Sequence, residues 1–563
     1  MTNIIKRIKL IKYIISITFL GLLIDLFIIQ IVQYRKYEQL ARNEHWQKDT
    51  LIAERGRILD IKYRPLAFSQ LCATVSVHPK YVRSPDSLAE ILSAFEIGEK
   101  TEILNRIYRS KEYFTFSKQI EYNRAIKLKE ILKKYRFANC VTVNDAMKRI
   151  YPSSEVTASI IGFTGKEHGL AGIENYFDKI LSGEPGWILK QKDAIGNNYV
   201  WPSYPVKRPV AGCDLVLTID LDMQEIAYQT LKKYVENLKA IRGSVIILNA
   251  DDAAVLAMAD YPDYDPNNFA ESDRNLWKAS AVSDEFEPGS VFKLVICATA
   301  LEELSHEYLF SKKWDVSKGY IEISNRKIKD VHNNGIVDFY DIFAKSSNIG
   351  VSLLSQEISA EKFYLMARKF GFGLPTSIEL PGEASGYLDR PALMTPLRFA
   401  NNSFGQGLRV TLLQLASAYL AIAQNGLLLK PYIVKQIIKG DKITYQGKKT
   451  IVRRVISEEN ASIIKDILAQ VVIRGTGRAA AIADCQVCGK TGTSQKIEAD
   501  GTYSATKSMM TFVGFFPKDN PKYLIALLID EPKLSRFAGE TTCPAFREIA
   551  SRIKYTNELV KWN

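Results

Sequence analysis

Glu287-Pro288-Gly289-Ser290-Val291-Phe292-Lys293 is the stretch on which the reading of this chain turns. Pro-Gly interrupts regular structure, and an apolar run of helix formers, Leu294-Val295-Ile296-Cys297-Ala298-Thr299-Ala300-Leu301, follows at once. The pattern predicts a turn feeding a buried helix, with Ser290 on or near its first turn and Lys293 one turn above it on the same face. A serine hydroxyl becomes a nucleophile when a base takes its proton, and an amine within hydrogen-bond reach serves if its pKa is depressed. A helix N-terminus also presents unpaired backbone N–H groups that stabilise a developing oxyanion. Taken alone, Ser-x-x-Lys is a weak signal, better read as a capping serine beside a surface lysine.

Around this stretch the chain alternates in texture. Leu215-Val216-Leu217-Thr218-Ile219-Asp220 reads as a short strand, and 221–238 has helical periodicity. Gly243-Ser244-Val245-Ile246-Ile247-Leu248 and Ala254-Val255-Leu256-Ala257-Met258-Ala259 read as adjacent strands joined by a polar turn. Helices dominate from 293 to about 425, strand patterns return at 432–438, 511–516 and 523–529, and a last helix covers 543–554. Strands at both ends with helices between predict an α/β (α+β) domain over 211–563 whose antiparallel sheet, flanked by helices, is closed by its terminal segments.

The N-terminal part differs. Lys6, Arg7, Lys9 and Lys12 form a basic tail over 1–12, before an apolar stretch over 13–32. Those ~20 residues at ~1.5 Å each span ~30 Å, one bilayer core. The stretch is long for a signal-peptide core and no small-x-small cleavage site follows it, so an uncleaved transmembrane anchor is expected, N-terminus in the cytoplasm. Asp25 within it either is tolerated in protonated form or faces a partner helix. A helical stalk is expected over 35–47, a strand over 70–77, and Lys/Glu-rich helices over 87–136. Residues 150–200, with Gly165, Gly169, Gly172, Gly183 and Gly186, read as an irregular, loop-connected module.

At 563 residues the chain exceeds a single core, and at 47% hydrophobic it is not a disordered one. The formal charge of +13 is carried by dispersed lysines, without a zinc-finger pattern, an RNA-binding aromatic signature or a concentrated basic helix, so no nucleic-acid partner is expected. The seven cysteines are scattered. Cys485-Gln486-Val487-Cys488 is the one C-x-x-C and has no second ligand pair for zinc, which leaves a local disulfide or small core residues; no metal or cofactor is expected.

Two further motifs follow Ser290-x-x-Lys293 in order: Ser346-Ser347-Asn348 between helical segments, and Lys490-Thr491-Gly492-Thr493 just before the strands of the closing sheet. Together the three resemble the trio of serine penicillin-binding proteins and related β-lactamases. Arg55-Gly56-Arg57-Ile58-Leu59-Asp60 resembles the motif that opens the N-terminal pedestal of class B penicillin-binding proteins. Leu256-Ala257-Met258-Ala259 through Tyr264-Asp265-Pro266-Asn267 resembles their approach to the nucleophile helix. Ile161-Gly162-Phe163-Thr164, Lys192-Asp193 and Ser403-Phe404-Gly405-Gln406-Gly407 are similar to the cell-division (FtsI-like) branch more than to the elongation branch.

The resemblance implies a membrane-anchored peptidoglycan D,D-transpeptidase: a non-catalytic, dimerisation-type pedestal over 33–210 and a transpeptidase domain over 211–563. Ser290 would attack the carbonyl of a D-alanyl-D-alanine stem peptide, with Lys293 as base. Lys490 would be the cation that depresses Lys293 and attracts the terminal carboxylate. Ser346 would relay a proton to the leaving amine, and Asn348 would hold Lys293 and the substrate amide. The N–H groups of Ser290 and Thr493 would form the oxyanion hole, and Thr491, Gly492 and Thr493 the substrate-binding stretch, with the two threonine hydroxyls on the carboxylate. Arg55 and Asp60 would be structural, and His332 would belong to a polar loop rather than to a Ser-His-Asp triad. Implied partners are stem peptides, β-lactams, the bacterial inner membrane, a glycan polymerase and other division proteins, with the catalytic domain in the periplasm. An elongation-type enzyme, a carboxypeptidase and a β-lactam sensor share the motifs; the anchor and pedestal disfavour a compact hydrolase, and the short tail disfavours a sensor.

Overall fold

The computed structural model describes residues 2–192, 198–199, 205–498 and 500–560; Asp193 of the Lys192-Asp193 pair lies outside them. Two compact units emerge, one of the residues up to Glu54 with Gly183–Gly212, the other of Arg55–Ser182 with the chain from Cys213 on.

In the first unit a helix over Thr2–Phe27 continues as a wider-turned segment through Val32. Asn3–Val32 is long and apolar enough, by length and composition, to cross a membrane, and its side chains are unburied. The following helix, Tyr34–His45, stops two residues short of the expected stalk, because Trp46–Leu51 forms a strand antiparallel to Gly186–Lys192. The glycine-rich reading of 150–200 missed that second strand. Glycine and proline mark its entry, but Trp187-Ile188-Leu189 is strand-forming once a partner is present.

The second unit begins with the pedestal portion. Strand Pro65–Val77 pairs with Val141–Ile150 over ten residue pairs, Phe68↔Ile150 to Val77↔Val141. Helices Pro85–Ala94, Lys100–Arg109 and Tyr122–Lys134 form a core with its buried side: Val75 and Val77 meet Leu88, Leu92, Ile103 and Leu128. Below this core the Arg55 guanidinium pairs with Glu174 at 2.6 Å and Asp178 at 2.7 Å, while Arg149 holds the other oxygen of Glu174 at 2.7 Å. Asp60 accepts the backbone N–H groups of Lys62 and Arg64 and pairs with the Arg64 side chain.

The C-terminal portion carries α1 (Leu221–Asn237), β1 (Arg242–Asn249), β2 (Val255–Tyr261), α2 (Lys293–Glu303), α3 (Asn348–Ser355), α4 (Leu412–Ala423), α5 (Glu458–Ile473), β3 (Cys488–Ile497), β4 (Tyr503–Phe516), β5 (Tyr523–Asp530) and α6 (Thr542–Val560). Its antiparallel sheet runs β2-β1-β5-β4-β3, so the last-formed strands close onto the first and β3 is an edge. The period of two splits β1 between two layers: Val245 and Ile247 face α1 and α6 through Leu231 and Phe546, and Ile246 and Leu248 share the cluster of Val295, Leu415 and Tyr419.

Three expectations are corrected here. The strands expected at 215–220 and 432–438 are Asp214–Leu217 and Val434–Lys439. They pair with each other, and the first also with Ile58–Leu59, in a separate eight-stranded sheet shared with the pedestal. The helical stretch after 293 is interrupted by a hairpin, Tyr320–Ile323 with Arg326–Lys329, turned by Ser324 (φ +50°) and Asn325 (φ +61°). Lys490-Thr491-Gly492-Thr493 lies within edge strand β3 rather than before the sheet. The seven cysteines are free thiols, so of the two readings left open for Cys485 and Cys488 the small packed residues stand.

Candidate active site

Ser290 sits in a tight turn, Gly289–Phe292, that runs directly into α2. Gly289 is left-handed (φ +59°), a conformation glycine adopts without penalty. Its N–H donates to Gly405 O at 3.0 Å. The approach is so close that a Cβ on Gly405 would lie 2.1 Å from Gly289 O. On the opposite side, a Cβ on Gly289 would come within 2.6 Å of Thr493 O and one on Gly492 within 2.8 Å of Pro288 O. Backbone contact therefore lays β3 against the turn, and the Ser403–Gly407 loop backs it. Ser290 itself is half-exposed, and its hydroxyl makes no hydrogen bond among the described residues.

Lys293 is completely buried. Its Nζ donates to Ser346 O at 2.7 Å and Asn348 Oδ1 at 2.8 Å, and lies 3.3 Å from Ser346 Oγ. Lys490, also buried, reaches from β3 to the same Ser346 Oγ at 2.9 Å and to Thr491 O at 3.1 Å. One hydroxyl thus bridges two lysines from distant segments. Burial, and next the positive charge of Lys490, push the Lys293 amine well below the usual lysine range, against an opposing pull from the Asp330 carboxylate. Burial pushes Lys490 down to about 7, with Cys543 pulling the other way.

Ser346 has φ +59°, a strained position for a side-chain-bearing residue. It is fixed from below. Ser347 Oγ accepts the Gly350 N–H to cap α3 and donates to Asp330 Oδ2 at 2.6 Å. Asp330 Oδ1 accepts the N–H groups of Asn348 at 2.5 Å and Ile349 at 3.0 Å. Asp330 thus holds the Ser346–Asn348 motif in place, a part that sequence reasoning missed by treating it as a member of His332's loop; His332 is exposed in that loop. Thr476 was also missed. Its hydroxyl lies 2.5 Å from that of buried Thr491, and its N–H donates to Ala344 O, just before the Ser346 motif. Gly475-Thr476-Gly477, a run of small residues, was the available signal. Thr493 is exposed, with its hydroxyl donating to Met510 Sδ at 3.6 Å.

A partly exposed serine on a helix-entry turn, a buried amine three residues on at the start of that helix, and an edge strand in backbone contact define a centre suited to serine acyl transfer. Residues 243–551 match the family described as Penicillin binding protein transpeptidase domain, and residues 50–217 match Penicillin-binding Protein dimerisation domain. The chain is 31% identical to the probable peptidoglycan D,D-transpeptidase PenA of Neisseria meningitidis, over 96% of this chain and 91% of that protein. It is 28% identical to the peptidoglycan D,D-transpeptidase FtsI of Escherichia coli, over 90% and 84%. The crystal structure of penicillin-binding protein 3 from Mycobacterium tuberculosis, complexed with aztreonam, superposes with a TM-score of 0.69 at 27% identity, covering 91% of this chain and 97% of that one. The chain belongs to the class B penicillin-binding proteins, and its activity is that of a serine-type peptidoglycan D,D-transpeptidase.

Proposed function

We propose that Ser290, Lys293, Ser346, Asn348 and Lys490 are the catalytic residues, with Thr491, Gly492 and Thr493 binding substrate. The observation that carries this is the hydrogen-bond count at Lys293. A neutral amine has two protons and one lone pair. Ser346 O and Asn348 Oδ1 take both protons at 2.7 and 2.8 Å, which leaves the lone pair to accept a proton from a hydroxyl. In the first step that hydroxyl is Ser290: its oxygen bonds to the penultimate D-alanine carbonyl as Lys293 takes the proton. The oxyanion faces the N–H groups of Ser290 and Thr493, whose segments are in backbone contact. The proton passes from Lys293 through Ser346 Oγ to the leaving amine, and the terminal D-alanine departs. An amine from a second stem peptide then attacks the ester, returns a proton by the reverse route, and restores Ser290. Lys490 and the Thr476–Thr491 hydroxyl pair suit the substrate's terminal carboxylate.

At the level of the cell, the reading is an anchored enzyme of the division septum. Residues 13–32 span the inner membrane and 1–12 face the cytoplasm; 33–210 serve as a pedestal for division partners, the glycan polymerase among them, and 211–563 work in the periplasm. Support comes from the apolar helix Asn3–Val32, the Ile161–Thr164 and Ser403–Gly407 motifs, and relatives named FtsI. Product analysis with polymerised, uncross-linked glycan tests the chemistry: cross-linked dimers are expected, and free tetrapeptide alone would reassign the protein as a carboxypeptidase. Depletion tests the setting, with filamentous cells expected and rounded cells contradicting the septal role.

A further inference from the structure

Every residue of α4 is buried, and none of the three motifs lies on it. Its Tyr419 is among the largest fully buried side chains, and the hydroxyl donates to Val291 O at 2.7 Å. Val291 directly follows Ser290. Among the described residues, Tyr419 is the only side chain hydrogen-bonded to a backbone group of the Gly289–Phe292 turn.

That turn is a place where small rotations matter. The Lys293 N–H donates to Ser290 O, three residues back, the closure of a tight helix of three residues per turn. In such a turn, residues three apart eclipse one another. In an α-helix, at about 100° per residue, they stand about 60° apart. The alignment of Ser290 with Lys293 therefore depends on this turn staying tight up to where α2 begins. Lys293 Nζ is fixed separately, by Ser346 and Asn348. The Ser290 side of the pair is held by Gly405 on one flank and by β3 on another. Tyr419 reaches it from the core.

We propose that Tyr419 is a positioning residue for the nucleophile: its hydroxyl clamps the Val291 carbonyl, keeps the turn from relaxing, and so holds the Ser290 hydroxyl in line with the Lys293 amine. The proposal rests on Ser290 being the acylated group. The binding of substrate is untouched by it, since Tyr419 is buried beneath the turn; what depends on it is the fraction of time Ser290 spends in an attack geometry.

The test is benzylpenicillin acylation of the full-length chain in detergent, followed by stopped flow, with Tyr419→Phe and Ser417→Ala. Ser417 is on the same helix, and among the described residues its hydroxyl bonds only to Leu413 O within that helix. For Tyr419→Phe, the saturating acylation rate is expected to fall about tenfold while the half-saturating concentration stays within about twofold, as the loss of one buried hydrogen bond would give. Ser417→Ala is expected to match the wild type. Hydrogen exchange in Tyr419→Phe should quicken in peptides covering 286–296 and not in those covering 523–530; a loosening of both would assign Tyr419 to general packing and overturn the proposal. An unchanged acylation rate in a folded Tyr419→Phe would overturn it too. Should that variant fail to fold, Tyr419→3-fluorotyrosine, which keeps a stronger donor, is expected to acylate at least as fast as the wild type, and slower acylation would contradict the clamp. Wild-type protein that is not acylated at Ser290 would instead refute the reading of the site itself.

Discussion

Lys293 and Lys490 are two amines sharing one hydroxyl, and their protonation sets a pH window. On the proposed mechanism Lys293 acts as a base only when neutral, so acylation is expected to rise with pH through its lowered pKa. In the same proposal Lys490 pairs with the substrate carboxylate as a cation, and burial brings its pKa down to about 7. The second-order rate of acylation by benzylpenicillin should therefore be bell-shaped, with its falling limb near about pH 7. A rate that is flat from about pH 6 to about pH 9 would contradict these assignments. The motif residues were legible because each chemistry needs a residue type at a fixed spacing from its partner: a lysine one turn after a serine, a serine two before an asparagine. Asp330 and Thr476 were not, because each acts through a contact with a motif distant in sequence: 17 residues separate Asp330 from Ser347, and 15 separate Thr476 from Thr491.

At the scale of elements, the Gly289–Phe292 turn rests on a neighbouring loop through backbone contact. Gly405 is left-handed at φ +86° and has no room for a Cβ against Gly289 O. Gly405→Ala should displace the turn and lower the acylation rate by about 100-fold, the cost of misplacing a reacting atom by roughly 1 Å, with the rest of the fold retained by circular dichroism. Wild-type acylation by that variant would show the contact to be dispensable. Element types in this portion were readable from short apolar runs and helical period, as in β1 and α1. The sheets they join were not: Asp214–Leu217 and Val434–Lys439 are short apolar-rich segments like β1, and only their partners place them in another sheet. The hairpin at 320–329 escaped because its turn is made by Ser324 and Asn325, without a glycine or proline at its apex.

Across the whole chain, two regions far apart in sequence are tied by buried charge. Glu174 has no exposed side-chain surface and lies between Arg55 and Arg149, joining the start of the pedestal to its far strand and to the turn-rich segment after it. Removing one partner from such a cluster leaves a buried charge unpaired, at a cost of about 3–5 kcal/mol. Glu174→Gln should accordingly lower the thermal midpoint of the full-length protein by several degrees, read by calorimetry; an unchanged midpoint would deny the cluster its structural role. The apolar helix Asn3–Val32, long enough to cross a membrane, was legible from length and hydropathy alone. The division of the pedestal was not: residues 183–212 group with the N-terminal residues up to Glu54, a pairing of strands remote in sequence. The three-motif site belongs to this scale as well: Lys293, Ser346 and Lys490 meet because β3, α2 and the loop before α3 pack together, with the Ser290 turn in backbone contact with β3. Intact-mass measurement after benzylpenicillin treatment tests that most directly. One covalent adduct is expected on the wild type, mapped to Ser290, and none on Ser290→Ala. An adduct that persists on Ser290→Ala, or a wild type that takes up none, would contradict the account.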